Sequence, residues 1–206
     1  LNFLGIDNVL ALRGDSMKDQ TYFVPEDGGH TFAKDLVKQI VGMNNGQYLE
    51  EELQNQSSTN FCIGVAGYPE KHFEAPSLNL DVKNLKAKVD AGAEYIVTQL
   101  FFDNSKYFEF VEKCRAEGIT IPIIPGIKPI ATKKQLSLLP HRFHVDIPDE
   151  LAMEIIKCKD NEQARKVGVE WAKTQCQELM AAGVPVLHFY SMGKSDNIYK
   201  IAKELF

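Results

Sequence analysis

One local pattern recurs along the chain and limits the folds that it can adopt. The end of a helical segment leads into a glycine and then into a short apolar run, as in KVDAGAEYIVTQL and ELMAAGVPVLHFY. The glycine is typical of the left-handed residue that ends a helix. The apolar runs lack strict alternation, which favours strands that are buried on both faces of a parallel sheet. The chain is therefore predicted to alternate strands and helices.

The same pattern indicates where these strands and helices lie. Together with one apolar run that follows a polar loop, it predicts strands at residues 8–12, 61–66, 95–101, 121–125 and 186–189. Thr31 is expected to cap a helix that runs to about Met43. Further helices are predicted at residues 80–91, 105–117, 148–157, 161–182 and 195–205. Regular alternation of this kind indicates βαβ units with right-handed crossovers.

The number of strands bears on the fold class, because five strands are too few to close an eight-stranded barrel. Residues 1–5 match the last turn of a helix and its glycine cap, so we expect three further βα units before them. The predicted fold is α/β: a partial (β/α)8 TIM barrel formed by about the last five βα units, with parallel strands. Residues 1–206 would then be the C-terminal portion of a single catalytic domain. An open five-stranded α/β sheet is the alternative.

Composition argues against several partners and compartments. The net charge of −5 disfavours nucleic acid or an anionic membrane as the main partner. Residues 1–12 lack the basic start of a signal peptide, and no apolar run reaches the roughly 20 residues of a transmembrane helix. The four cysteines form no CxxC or Cys/His cluster, so we expect free thiols in a cytoplasmic protein and no metal site.

The loops that leave the predicted strands are long, at residues 13–30, 67–79 and 126–132, whereas the glycine-ended junctions are tight. In a β/α barrel, the loops at the carboxyl ends of the strands build the active site. A further polar stretch, residues 44–60, falls on the side of the sheet opposite to these loops and is interpreted as a solvated insertion.

The first strand leads directly into Arg13, Gly14 and Asp15. Gly14 would let the backbone approach a ligand closely, and Asp15 would place a carboxylate over the barrel mouth. An ordinary salt bridge at the start of the loop is the alternative interpretation of this tripeptide. An adhesion motif of the RGD type does not fit the exit of a buried strand.

The second strand leads to Tyr68 and His72, which offer a ring face, a hydroxyl and a donor for a phosphate. Their alternative roles are loop packing and simple exposure. On the following helix, Asp81, Asn84 and Lys88 are spaced by three and four residues and so share one face. That face could bind a ribose and a phosphate beside the rim, or it could simply be solvated.

Gln99 is a polar residue within the apolar third strand. A buried amide that lacks hydrogen bonds costs about 1–3 kcal/mol, so Gln99 is expected to meet either a protein partner or a ligand. An amide suits a ring that presents both donors and acceptors, such as a pterin.

Taken together, these segments resemble the methylenetetrahydrofolate reductase family, and the bacterial catalytic-domain form fits best. The resemblance covers the whole chain and weakens at residues 44–60, at residues 139–145 and after residue 190. The matching stretches occur in the family's order and are ALRGD (11–15), FAKDLV (32–37), VAGYPEKHFEA (65–75), NLKAKVDAGAEYIVTQLFFD (84–103), IIPGIKPI (123–130) and LHFY (187–190).

The resemblance implies an FAD-containing β/α-barrel oxidoreductase. NAD(P)H would reduce the flavin and leave, and 5,10-methylenetetrahydrofolate would then accept hydride to give 5-methyltetrahydrofolate for methionine synthesis. The implied partners are these small molecules, and a homo-oligomer is compatible with the family. The implied FAD-contacting positions are Arg13, Gly14, Asp15, Ala33, Tyr68, His72, Ala75, Asp81, Asn84 and Lys88.

By the same resemblance, Asp15 and Gln99 are the expected catalytic residues, and both would also contact the folate. Gln135 and Lys194 fall at further folate positions. Lys194 stands where arginine is more usual, and a lysine cannot make the planar bidentate contact with a carboxylate. Leu139 stands where a bacterial relative has a phenylalanine that stacks on folate, and Ala87 replaces a basic residue.

The family's general-acid glutamate lies on the first barrel strand, so this fragment by itself is expected to be inactive. Two alternatives remain for the function. One is a non-catalytic FAD- or folate-binding barrel fragment. The other is a different flavin barrel, such as a proline dehydrogenase, although that class would lack the GYPxxH and TQLFFD segments in this order.

Overall fold

The computed structural model describes residues 1–16, 23–50 and 52–206. Residues 17–22 belong to the loop predicted at 13–30, and residue 51 belongs to the insertion predicted at 44–60. Those parts of the two predictions lie outside the described residues.

The strands form one parallel sheet in sequential order, β1-β2-β3-β4-β5, which curls into a half-barrel. The order and direction confirm the prediction of a partial β/α barrel with parallel strands. In the register, Leu10 lies opposite Gly64, and Gly126 lies opposite His188. The strands are β1 (Asn8–Ala11), β2 (Cys62–Gly67), β3 (Tyr95–Leu100), β4 (Ile123–Ile127) and β5 (His188–Phe189).

Helices connect the strands on the outer face of the sheet. A short 3-10 turn, Asn2–Leu4, precedes β1 and ends at Gly5 in the left-handed region, as its sequence predicted. None of the helices in the described part of the chain is long and apolar enough to cross a membrane. The helices are α1 (Ala33–Asn44), α2 (Leu78–Asp90), α3 (Asn104–Ala116), α4 (Gln135–Phe143), α5 (Asp149–Lys157), α6 (Asn161–Ala181) and α7 (Asp196–Leu205).

Several predicted boundaries are wrong. The first helix begins at Ala33 after an extended Phe32, so Thr31 is not its cap. Strand β4 begins at Ile123 instead of residue 121, and β5 has two residues instead of four. Helix α4 was not predicted, because it starts without a side-chain cap and contains Pro140, which is usually read as a helix break.

The core has two parts. The larger packs the sheet against the surrounding helices through residues such as Ile63, Ile96 and Leu179. The smaller packs α4, α5 and α6 beyond the end of β3, and Leu139 is buried within it. Close approach of α6 depends on Gly168, since a Cβ atom there would lie 2.0 Å from the carbonyl oxygen of Ile130.

The cysteine thiols are free, as predicted. Cys114, Cys158 and Cys176 are buried, and Cys62 is half-buried.

Candidate active site

A cavity of about 550 Å³ lies at the carboxyl ends of the strands, where side chains from separate strand exits meet. The exit of β1 contributes Arg13, Gly14 and Asp15, and the exit of β2 contributes Tyr68 and His72. Gln99 of β3 also lines this cavity. The structure therefore brings these six predicted residues together around one space.

The β1 exit is tied to the β2 loop by a bidentate ion pair. The Arg13 guanidinium donates to both carboxylate oxygens of Glu74, at 2.7 and 2.9 Å. The pairing raises the pKa of Arg13 and lowers the pKa of Glu74. Arg13 therefore forms the salt bridge at the start of the loop that was the alternative interpretation of this tripeptide. Asp15 is exposed at the cavity instead.

Gly14 has φ of +88°, a left-handed conformation that strains any residue with a side chain. No heavy atom lies within 4 Å of the position that a Cβ atom would take there. Backbone conformation, and not lack of space, therefore explains the glycine in this structure.

Tyr68 and His72 pack edge to face, with their ring centroids 4.7 Å apart. The backbone N–H of Glu74 donates to His72 Nδ1 at 3.2 Å, so the neutral ring carries its proton on Nε2. Burial lowers the pKa of His72 and raises the pKa of Tyr68 to about 12. At neutral pH, this corner of the cavity therefore presents a neutral imidazole and a neutral phenol.

Two of the three residues predicted to share a face of α2 contact the β2 exit. Asp81 accepts the backbone N–H of His72 at 2.8 Å, and Lys88 donates its ammonium group to the Ala66 carbonyl at 2.6 Å. Burial lowers the pKa of Lys88 to about 8, although the nearby Asp81 acts in the opposite direction. Burial raises the pKa of Asp81. Asn84 is exposed and does not belong to the cavity lining.

Gln99 is half-buried, and its side-chain oxygen accepts the backbone N–H of Leu100 at 3.0 Å. Its NH₂ group has no acceptor among the residues that the structure describes. Gln99 thus combines both interpretations of its sequence position: one end of the amide has a protein partner, and the other can meet a ligand.

The remaining predicted site residues lie outside this cavity. Ala33 lines a neighbouring cavity of about 510 Å³, which shares Arg13 and Asp15 with the first, and Ala75 is buried. Gln135 accepts the backbone N–H groups of residues 131 and 132 at 2.6 and 3.2 Å and so fixes the start of α4. Lys194 is exposed in the turn that follows β5.

Sequence reasoning missed several residues of the lining. Tyr190 could have been found, because it follows β5 as Tyr68 follows β2. Arg142, Phe143 and His144 belong to the end of α4, which the sequence did not predict. Leu139 is buried in the smaller core and does not line the cavity. Another α4 residue, Phe143, supplies an aromatic ring to the cavity lining.

Comparison with known proteins identifies the family. The family model for methylenetetrahydrofolate reductase matches residues 2–206. This chain belongs to the methylenetetrahydrofolate reductase family. The resemblance that the motifs suggested is therefore confirmed over nearly the whole chain.

The family relatives include proteins from bacteria, fungi, plants and a nematode. The chain is 35% identical over 204 residues to the 5,10-methylenetetrahydrofolate reductase of Escherichia coli, covering 98% of this chain and 61% of that protein. It is 37% identical over 202 residues to methylenetetrahydrofolate reductase 1 of Schizosaccharomyces pombe, covering 98% and 31% respectively. The chain thus spans about three-fifths of its bacterial relatives and about one-third of this fungal one.

Among solved structures, the chain is similar to an uncharacterized Clostridium thermocellum protein that binds two copies of 5-methyl-5,6,7,8-tetrahydrofolic acid. The TM-score is 0.51 at 21% identity, over 69% of this chain and 52% of that one. At this identity the similarity supports the fold alone.

Proposed function

We propose that this chain is the C-terminal portion of a single FAD-binding β/α-barrel domain of a methylenetetrahydrofolate reductase. The complete domain would use NAD(P)H to reduce 5,10-methylenetetrahydrofolate to 5-methyltetrahydrofolate for methionine synthesis. One observation carries the proposal: in a member of this family, Asp15, His72 and Gln99 come from three successive strand exits and line one cavity.

The chemistry of the cavity fits FAD. Lys71 and Arg142 bring positive charge to the lining, which suits a diphosphate, whereas the charge of Arg13 is balanced by Glu74. Tyr68, Phe143 and Tyr190 offer ring surfaces. A bound flavin would supply the hydride transfer between the nicotinamide cofactor and the folate. The ten residues expected to contact FAD keep that role in the proposal, and one of them, Lys88, would bring a cation behind the β2 exit.

Asp15 and Gln99 would act on the reacting groups. The Asp15 carboxylate would stabilise positive charge that develops on the folate and disfavour negative charge beside it. Gln99 would donate its NH₂ group to each substrate in turn, because its oxygen is held by Leu100. Gln135 and Lys194 stay predicted folate contacts. Of these two, Lys194 offers an exposed ammonium group that could pair with a carboxylate.

The test uses the full natural polypeptide that contains residues 1–206. We expect a yellow protein whose flavin absorbance is bleached by NAD(P)H and restored by 5,10-methylenetetrahydrofolate. A yellow protein that NAD(P)H does not bleach would support the binding-protein alternative. Bleaching by proline instead would support the proline dehydrogenase alternative, and a colourless protein that does not take up FAD would refute the proposal.

A further inference from the structure

Two segments that line the cavity are joined by a hydrogen bond outside it. One is the β2 loop, residues 68–75, which carries Tyr68 and His72. The other is the junction after α4, residues 144–146. The Glu70 carboxylate accepts the backbone N–H of Asp146 at 2.6 Å. Glu70 itself does not line the cavity, whereas residues on both sides of this contact do.

A second contact joins the same two segments. The rings of Phe73 and His144 stack with centroids 4.8 Å apart and planes inclined by 23°. Between His144 and Asp146, Val145 is 4% exposed and packs into the smaller core. The junction is thus anchored to the body of the protein, and the β2 loop is held against it.

We propose that Glu70 is a positioning residue, which clasps the β2 loop to the junction after α4 and so sets the width of the cavity mouth for both substrates. This role rests on the proposed function, because it concerns the ligands of that site. Glu70 touches no reacting group and acts through the walls that it joins.

Burial makes the clasp sensitive to pH, because it is the largest influence on Glu70 and raises the pKa of this carboxyl to about 7. The hydrogen bond from the backbone N–H of Asp146 acts in the opposite direction. The charges of Asp146 on the junction and Asp103 at the start of α3 repel the carboxylate, while Lys106 on α3 attracts it. An ionised carboxylate accepts a stronger hydrogen bond than a neutral one. The clasp should therefore tighten as the pH rises through about 7.

Hydrogen exchange of the full natural polypeptide tests the clasp directly. At pH 8, Glu70→Ala should lower the protection factors of the amides at residues 144–147 by about tenfold, and at pH 6 the loss should be smaller. Glu70→Gln retains the side-chain shape and a hydrogen-bond acceptor, but its amide does not titrate. The protection factors of these amides in this variant should therefore not differ between pH 6 and pH 8. Glu109→Gln, a change of an exposed glutamate on α3, should match the wild type. Unchanged protection in Glu70→Ala would overturn the proposal.

Steady-state kinetics test the positioning role. At pH 8, Glu70→Ala should raise KM for both substrates by about tenfold and leave kcat within about twofold. A wider mouth should weaken substrate binding without changing the chemical step. Lower protection with unchanged KM would overturn positioning. A wild-type protein that NAD(P)H does not bleach would instead refute the proposed function, and the exchange experiment would still decide whether the clasp exists.

Discussion

Arg13 and Glu74 face each other across the exits of β1 and β2 and pair through two parallel hydrogen bonds of 2.7 and 2.9 Å. The two side chains are 61 residues apart in sequence, so no local pattern reveals the pair. It fixes the β1 exit, which carries Asp15, against the loop that carries His72.

Replacing Arg13 with lysine tests this pair. Lysine retains the charge but cannot make two parallel bonds, so the β1 exit should be held less firmly. We expect the Kd for FAD to rise by about tenfold, while stability falls by less than about 1 kcal/mol because the pair is partly exposed. Flavin titration and urea unfolding measure the two quantities. Arg165→Lys, at an exposed position on α6, is the control. An unchanged Kd for FAD would show that the pair does not organise the site.

Gln99→Glu should harm the folate half-reaction more than the NAD(P)H half-reaction. One carboxylate oxygen can still accept the N–H of Leu100, but the NH₂ donor that faces the cavity is lost. A ligand acceptor left unpaired costs about 1–3 kcal/mol, or roughly tenfold to a hundredfold in rate. The nicotinamide amide can turn and present its own donor, so its step should lose less.

Stopped-flow absorbance of the flavin separates these two half-reactions. Equal losses in both, or a larger loss with NAD(P)H, would show that Gln99 does not discriminate between the substrates. If Gln99 serves only as a structural amide, the variant should instead unfold at a lower temperature, with both steps impaired alike.

The lowered pKa of Lys88 leads to a prediction of how FAD binding depends on pH. Burial holds its pKa at about 8, so its charge is present below that pH and is lost as the pH rises through it. If Lys88 attracts the diphosphate, the affinity for FAD should fall above about pH 8. Lys88→Met should bind FAD about tenfold more weakly at pH 7 and show little further loss at pH 9. Lys86→Met, on the same helix, should retain the wild-type profile. A wild-type profile that is flat from pH 7 to 9 would contradict this role.

Gly168→Ala tests the packing of α6 against the segment that follows β4. Alanine normally stabilises a helix by about 1 kcal/mol relative to glycine. Here the new Cβ atom would lie 2.0 Å from the carbonyl oxygen of Ile130. Because this oxygen belongs to the backbone, a side-chain rotation cannot move it away. We expect a net destabilisation of about 1–3 kcal/mol in urea unfolding. Lys166→Ala, at an exposed site two residues earlier on the same helix, should change stability by less than about 0.5 kcal/mol. A gain in stability at Gly168 would show that α6 can shift away.

Strand polarity explains why much of the site could be expected before the structure. Tyr68 and His72 follow one parallel strand and Asp15 follows another, and parallel strands place their carboxyl ends at one edge of a sheet. Asn84 shows the limit of such reasoning. It shares a helix period with Asp81 and Lys88, yet it is exposed while the other two contact the β2 exit.

By itself, the sequence determined the parallel α/β architecture, the strand order and the family. These depend on local periodicity, on glycine-ended helices and on motifs that occur in a set order. The tertiary structure alone decided that α4 forms around Pro140, that Arg13 pairs with Glu74, and that Glu70 reaches Asp146. Each of these depends on contacts between segments distant in sequence, or on burial that offsets an unfavourable local preference. Local patterns carry no information about which distant side chains the folded sheet brings within hydrogen-bonding distance.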